Sequence, residues 1–404
     1  MKKVCIISAG VLPVPPTQGG AVENLIYFLC EQNGINKEVE FSVISVYEKD
    51  AVKQSLLIKN SVFHYVKVPY FIKIMDRFLF VSTRLFFKER ALSFRTLFSR
   101  LFYLKLIQKY LLKNDFDFII LENSTILFRI FKNRTLNEKF NNKIIYHAHN
   151  EPNGTFGCLK QINTCSKVIC VSEFIKNSWQ TRYPDCKAVF KVVKNGIDTS
   201  KFVKKMTTNE KLELRKRLNL SQDDFVIIFA GRLSVEKGII ELAESFVHIP
   251  IPNKKLLIVG GAFYAWKNKS SIQKQLDNIL MDVLDKVVFT GYVPYDEIYK
   301  YYQIADVAVL PSIWQEPAGL TNVEAQLTGL PVIATYCGGI PEYSNLSAKM
   351  TINLGTNLSS ELQGKLLRLY SDEKLRIKIG QDNQNYAIQF SKEIFFQNFM
   401  DSIF

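Results

Sequence analysis

The chain has little with which to hold a metal, cross a membrane or build a disulfide frame. Its seven cysteines (Cys5, Cys30, Cys158, Cys165, Cys170, Cys186 and Cys337) are scattered and odd in number, and no two have Cys-x-x-Cys spacing. That excludes a zinc ribbon and a disulfide scaffold and suits reduced, partly buried thiols in a cytosolic protein. No apolar run reaches the roughly eighteen residues needed to span a bilayer. The opening Met1-Lys2-Lys3-Val4-Cys5-Ile6-Ile7-Ser8 soon meets Pro13, Pro15 and Pro16, so it reads as a strand and loop and not as a signal peptide. Gly-x-Gly-x-x-Gly is missing, and with it the dinucleotide fingerprint. Acid is scarce as well: 52 Lys and Arg against 38 Asp and Glu leave a net charge of +14. Such an excess implies an acidic partner, whether nucleic acid, an anionic membrane or a phosphate-rich substrate.

What is present is a folded α/β chain. At 404 residues, 47% hydrophobic and 22% charged, it is too long for one simple core and predicts two domains. Apolar strands are expected at Val4–Ser8, Phe41–Val46, Val62–Val68, Phe116–Glu122, Lys143–Tyr146, Lys167–Val171 and Val192-Val193. Residues 203–222 are polar and patternless and mark the junction. Beyond them strands are expected at Phe225–Ala230, Leu256–Val259, Val287–Thr290, Asp306–Leu310 and Leu330–Thr335. Strands that alternate with helices predict parallel sheets, whose ligands sit beyond the C-terminal strand ends.

The candidate sites fall at those ends. Pro311 to Glu316 leaves an apolar strand, Pro317 breaks the chain, and Gly319-Leu320-Thr321 opens a helix that carries Glu324. Unpaired N–H groups at a helix start favour an anion, and flanking carboxylates suit hydroxyls; together they suggest a sugar nucleotide. Gly231-Arg232 and Glu236-Lys237-Gly238 follow another strand. Two fixed cations there suit a diphosphate, although solvated loop charges have the same look. Gly19-Gly20 after the first strand permits either close backbone approach to a ligand or a tight turn. His147 and His149 alternate onto one side of a strand end, as a substrate contact or as buried, satisfied histidines. No third ligand is spaced suitably for a metal, so none is expected. Asp115-Phe116-Asp117 is formally a metal-binding triplet, but it opens an apolar strand and is rejected in that role. The far end of that strand, Glu122-Asn123-Ser124, is better placed for a ligand.

Residues 71–113 carry much of the excess charge. Ten basic residues (Lys73, Arg77, Arg84, Lys88, Arg90, Arg95, Arg100, Lys105, Lys109 and Lys113) stand against Asp76 and Glu89. Phe71, Phe78, Phe80, Phe86, Phe87, Phe94, Phe98, Phe102 and Tyr103 are interleaved. A basic, aromatic, helical stretch of this kind predicts contact with an anionic membrane surface; the plainer alternative is a domain helix with a solvated face. Nucleic acid is not expected, because no groove-reading motif accompanies the charge.

Taken in order, Gly19-Gly20, His149-Asn150, Asn195-Gly196-Ile197-Asp198, Gly231-Arg232 with Glu236-Lys237-Gly238, Gly291-Tyr292-Val293, and Glu316 with Glu324 (an E-x7-E pair) resemble a family-4 glycosyltransferase of the GT-B fold. The resemblance implies two Rossmann-like domains whose parallel sheets face across a cleft. An acceptor domain would cover 1–205 and a nucleotide-sugar domain 206–385, with a final helix, 386–404, crossing back. It implies retaining transfer, without a metal or cofactor, from a UDP-, GDP- or dTDP-sugar. Arg232, Lys237 and the amides of Gly319, Leu320 and Thr321 would stabilise the leaving diphosphate. Glu316 would hold the donor sugar, Glu324 the ribose, Val293 the base through its backbone, and Gly20, next to Gly19, would approach the phosphate. His149 would lie near the reacting sugar. Ala318 stands where a bulkier Phe is frequent, which predicts an altered sugar pocket. The implied role is transfer of a hexose or deoxyhexose to an undecaprenyl-diphosphate-linked saccharide in capsule, exopolysaccharide or cell-wall synthesis. The implied location is the cytoplasmic face of the plasma membrane. A soluble transferase acting on a small molecule or glucan, and a non-catalytic coat protein keeping the fold, are the alternatives.

Overall fold

Residues 1–86, 95–261, 271–355 and 357–404 are described by the structure, a computed structural model. The chain divides into two compact units, Met1–Gly196 with Lys392–Phe404, and Ile197–Ser391. Residues 197–205, read from the sequence as the end of the first domain, thus fall in the second unit.

The first unit is built on seven parallel strands: β1 (Lys2–Ile7), β2 (Val39–Val46), β3 (Ser61–Val66), β4 (Phe118–Glu122), β5 (Ile144–Ala148), β6 (Lys167–Cys170) and β7 (Val189–Val192), in the order β3-β2-β1-β4-β5-β6-β7. The last of these was expected slightly later, at Val192-Val193. Alternation along each strand feeds two cores. In β4, Ile119 and Leu121 join the cluster around Tyr103, Phe128 and Trp179. Ile120 joins the opposite cluster of Val4, Ile6, Ile26 and Leu29. Helix α1 (Ala21–Asn36) covers that second face together with the C-terminal helix Lys392–Ile403, whose Phe395, Phe396, Phe399 and Ile403 are buried there. Lys392 ties this helix to Glu31 on α1 at 2.8 Å.

The order reverses between β1 and β4, so the gap beyond their C-terminal ends is the ligand position of a doubly wound sheet. Gly19-Gly20 and the start of α1 follow β1, and Glu122 ends β4.

The basic aromatic stretch resolves into two helices, α2 (Tyr70–Phe86) and α3 (Leu97–Lys113). Phe87, Lys88, Glu89, Arg90 and Phe94 lie outside the described residues. The two helices differ in kind. Tyr103, Leu104, Ile107 and Leu111 of α3 point into the core. The Tyr103 hydroxyl donates to the Ile44 carbonyl at 3.1 Å, so α3 is an ordinary structural helix. Among the described side chains of α2, only Ile72 and Asp76 are buried. The Asp76 carboxylate accepts from the Phe98 and Ser99 backbone N–H groups at 2.7 and 3.0 Å, capping α3 from outside. This explains one of the two acids in an otherwise basic stretch.

The second unit has six parallel strands: β8 (Phe225–Ala230), β9 (Lys254–Val259), β10 (Val287–Gly291), β11 (Val307–Leu310), β12 (Val332–Thr335) and β13 (Thr351–Ile352), ordered β10-β9-β8-β11-β12-β13. Val226, Ile228 and Ala230 face one core, and Phe225, Ile227 and Phe229 the other. Here the order reverses between β8 and β11. Helix α4 (Ile239–His248) follows β8, and α5 (Leu320–Leu327) follows β11.

Candidate functional site

Both loops at the second reversal carry the residues singled out by sequence. The β8 loop delivers Arg232 and Lys237, and the β11 loop delivers Glu316 and Gly319. The Lys237 ammonium pairs with the Glu316 carboxylate, and the Ser312 hydroxyl donates to the same Glu316 oxygen at 2.9 Å. Glu316 is buried, so its charge depends on these partners and not on water. The loops are also locked through backbone: Ile313 N–H donates to the Glu236 carbonyl at 3.0 Å, and Gly339 N–H to the Glu316 carbonyl at 2.6 Å. Arg232 stays half-exposed, 3.8 Å from Glu236.

Gly319 caps α5 with φ 80 and ψ 50, and the first-turn N–H groups of Leu320 and Thr321 have no acceptor within their own helix. Cation and helix start therefore flank one position, a geometry suited to a diphosphate. Ala318 is buried beside Gly319, and Val293 is half-buried against the same core. One turn further into α5, Glu324 is buried as well. Burial drives its pKa up to about 8, against the pull of the Tyr295 and Tyr302 hydroxyls beside it. Neither tyrosine was singled out by sequence, since each sits in another segment and only the fold brings it to Glu324.

The first unit holds a second cluster. Alternation puts His147 and His149 on the α1 face of β5, as expected. Register then adds a residue that sequence spacing could not: Glu122 pairs directly with His147. The Glu122 carboxylate lies 3.1 Å from His147 Nδ1 and 3.1 Å from His149 Nε2. All three residues are buried. The Glu122 carboxyl is held down to about 2, because the two imidazoles outweigh the upward push of burial. Burial and His147 lower His149 to about 4. Sequence spacing offered no third ligand, whereas the fold brings Glu122 to His147 and His149, close enough together that the three could hold a metal ion. Gly19 and Gly20 precede α1, and the Glu23 carboxylate folds over Gly20, where a Cβ would meet Oε2 at 2.1 Å. Burial raises Glu23 to about 7.

Residues 210–386 match the family described as Glycosyl transferases group 1. That stretch is similar to a group 1 glycosyltransferase domain. The match encloses Arg232, Lys237, Val293, Glu316, Gly319 and Glu324, so the site just described lies within the matched region. Likeness extends over nearly the whole chain. A putative glycosyltransferase, YtcC, of Bacillus subtilis is 26% identical over 95% of this chain and 87% of its own length. A lipopolysaccharide 1,2-N-acetylglucosaminetransferase of Salmonella typhimurium is 26% identical over 85% of this chain and 82% of its own. Among solved structures, Anabaena HepE in complex with UDP and glucose superimposes with a TM-score of 0.68 at 18% identity, covering 100% of this chain and 99% of that one. Two Rossmann-like parallel-sheet units are thus the architecture of GT-B glycosyltransferases.

The second unit therefore gathers Arg232, Lys237, Glu316, Ala318, Gly319, Leu320, Thr321 and Glu324 at one reversal. Gly19, Gly20 and His149 belong to the other unit. Ser312, which anchors Glu316, went unnoticed because a single serine in a loop has no spacing signal.

Proposed function

We propose that this transferase moves a hexose or deoxyhexose, with retention, from a UDP-, GDP- or dTDP-sugar to a lipid-linked saccharide, of the undecaprenyl-diphosphate kind, in capsule, exopolysaccharide or cell-wall synthesis. The observation that carries the donor half is the Lys237–Glu316 pair beside the start of α5. A diphosphate seated there meets the ammonium, the Arg232 guanidinium and helix N–H groups, which together stabilise charge on a departing nucleotide without a metal. Glu316 then turns to a sugar hydroxyl, and Glu324 to the ribose. His149, Gly19 and Gly20, which the family resemblance assigns to the reacting sugar and the phosphate, belong to the first unit. The nucleotide-bound HepE and the Salmonella N-acetylglucosaminetransferase support this reading by likeness. A thermal-shift screen with UDP-, GDP- and dTDP-sugars tests it. A nucleotide-specific rise in melting temperature is expected; no rise with any donor, together with no hydrolysis or transfer, leaves the coat-protein reading in place.

Glu324 makes the donor step pH-dependent. A carboxyl raised to about 8 is largely protonated at neutral pH, while ribose hydroxyls are best held by the ionised form. Nucleotide affinity should therefore rise as pH increases from about 6.5 to 9, with release of a proton on binding below that midpoint. Calorimetric titration of nucleotide in buffers of different ionisation enthalpy measures both effects, and Glu324→Gln should flatten them. The stability sign is opposite: the raised carboxyl costs folding free energy as pH climbs from its ordinary value, 4.5, toward 8.

The acceptor half rests on α2. Phe71, Ile74, Met75, Phe78 and Val81 follow helical spacing and are all exposed, Phe78 at 75%. Lys73, Arg77 and Arg84 are exposed along the flank of that stripe. An apolar stripe edged with cations matches an anionic lipid surface. No helix among the described residues is long and apolar enough to cross a membrane; the contact proposed is peripheral, at the cytoplasmic face. Sedimentation with phosphatidylglycerol vesicles should carry the protein down, and Phe71→Asp with Phe78→Asp should abolish it. A wild-type protein left in the supernatant would favour a soluble transferase acting on a small molecule or glucan.

A further inference from the structure

We propose that Glu122, His147 and His149 form a binding site for one zinc-class divalent cation. The inference rests on the mutual spacing of three atoms. Glu122 Oε2 lies 3.1 Å from His147 Nδ1 and 3.1 Å from His149 Nε2, and the two nitrogens lie 3.1 Å from each other. The set is thus an equilateral triangle of lone-pair atoms.

Protons satisfy such a triangle poorly. Each ring nitrogen carries at most one hydrogen, and the ionised carboxylate carries none. If both nitrogens donate to Oε2, two N–H groups crowd against each other along the third edge. If only one does, the other nitrogen sets its lone pair against a carboxylate oxygen. His147 Nδ1 also lies 3.2 Å from Glu122 Oε1, so two N–H groups can pair with the two carboxylate oxygens, but they then stand side by side 3.1 Å apart with all three residues shielded from water. A cation over the centre of the triangle turns all three edges favourable. A tetrahedral zinc with bonds of about 2.1 Å separates its ligand atoms by about 3.4 Å, close to what is found. Two imidazoles and one carboxylate favour zinc-class ions over magnesium or calcium, which prefer all-oxygen shells.

The surroundings agree with a built site. His149 is positioned from behind, its backbone N–H donating to the Asn123 side-chain oxygen at 3.1 Å. Coordination through His147 Nδ1 places that ring's proton on Nε2, which is buried and has no oxygen or nitrogen partner. The Phe399 ring is packed against this imidazole, its centre 5.0 Å away. Three protein ligands leave the fourth zinc position for a water or hydroxyl, the arrangement of reactive and not of closed structural zinc sites. The position is beyond β4 and β5, on the ligand side of the first sheet, in the other unit from the diphosphate position. The cation would not take over the role assigned to Arg232 and Lys237, so the donor screen tests those residues separately; a His149 that ligates the cation through Nε2 gives up the sugar contact proposed for it above.

Elemental analysis of untagged protein, purified without chelator, is the test. About one zinc per chain is expected, retained through gel filtration. Glu122→Gln and His147→Gln should each lose it, whereas His64→Gln, remote from the triad, should keep it. Because a buried variant can misfold, a second measurement uses the wild type alone. After extraction with a chelator, added Zn2+ should raise the melting temperature, and added Co2+ should develop the visible bands of a low-symmetry nitrogen and oxygen site. Zinc retained equally by both triad variants, or a wild type that takes up neither ion, overturns the proposal.

Discussion

Lys237→Ala should lower turnover by about 10²–10³-fold, the range found when one preorganised donor to a developing anion is removed. Two consequences of that substitution have to be separated. Lys237 is paired with Glu316, a buried carboxylate whose other partner is Ser312. Removing the ammonium leaves that carboxylate short of a partner at a cost of about 1–3 kcal/mol, and this loss of stability could mimic a loss of chemistry. The double variant Lys237→Ala with Glu316→Gln relieves the unpaired charge. Its melting temperature should recover toward the wild type while its turnover stays low. Should turnover recover along with stability, Lys237 serves only the fold, and the leaving-group role is wrong. A single variant with wild-type turnover would equally rule that role out.

Gly238→Ala should be nearly as damaging, by a different route. Gly238 has φ of 68, in the left-handed region, and a Cβ built there sits 1.9 Å from the Pro311 carbonyl oxygen. Strain of about 1–2 kcal/mol comes from the dihedral alone. The clash adds a displacement, since a carbonyl cannot swing aside as a lysine tip can. What moves is the β8 loop against the β11 loop, which together carry Lys237 and Glu316. Misplacement by about 1 Å can cost about 10²-fold in rate. The expected result is therefore a melting temperature lower by several degrees, at about 2–4 °C per kcal/mol, and a comparable drop in kcat. Gly364→Ala supplies the control: it lies in the helix Leu358–Ser371, and nothing is within 4 Å of its new methyl group. It should stabilise the helix by about 0.5–1 kcal/mol. Equal behaviour of the two variants would show that Gly238 is not holding the loops together.

These two residues lie in the part of the molecule that could be read most directly. Arg232, Lys237, Glu316 and Glu324 belong to short segments in which spacing and chemistry are encoded locally: a strand, a glycine, a cation, a helix start. Parallel sheets follow from the alternation of strands and helices for the same reason. The segment 71–113 was legible only in part. Composition identifies it as basic and aromatic, but one periodicity cannot separate an aromatic bound for the core from one left on the surface. The fold makes that separation, sending Tyr103 and Leu104 of α3 inward while Phe71 and Phe78 of α2 stay outside.

By itself the sequence determined the strands along the chain except the short β13 (Thr351–Ile352), the positions of the glycines and cations that follow strands, and the pairing of two histidines on one strand face. Each of these depends on residues a few positions apart, where backbone periodicity sets direction. Only the tertiary structure decided that Glu122 stands opposite His147, that Tyr295 and Tyr302 close over Glu324, and that Ser312 braces Glu316. Those contacts depend on strand register and on how loops from separate segments pack, and burial then moves the charge states. The Glu122 carboxyl is held at about 2 by its imidazoles, and the Glu324 carboxyl is driven to about 8 by burial, although the two residues are the same in the sequence.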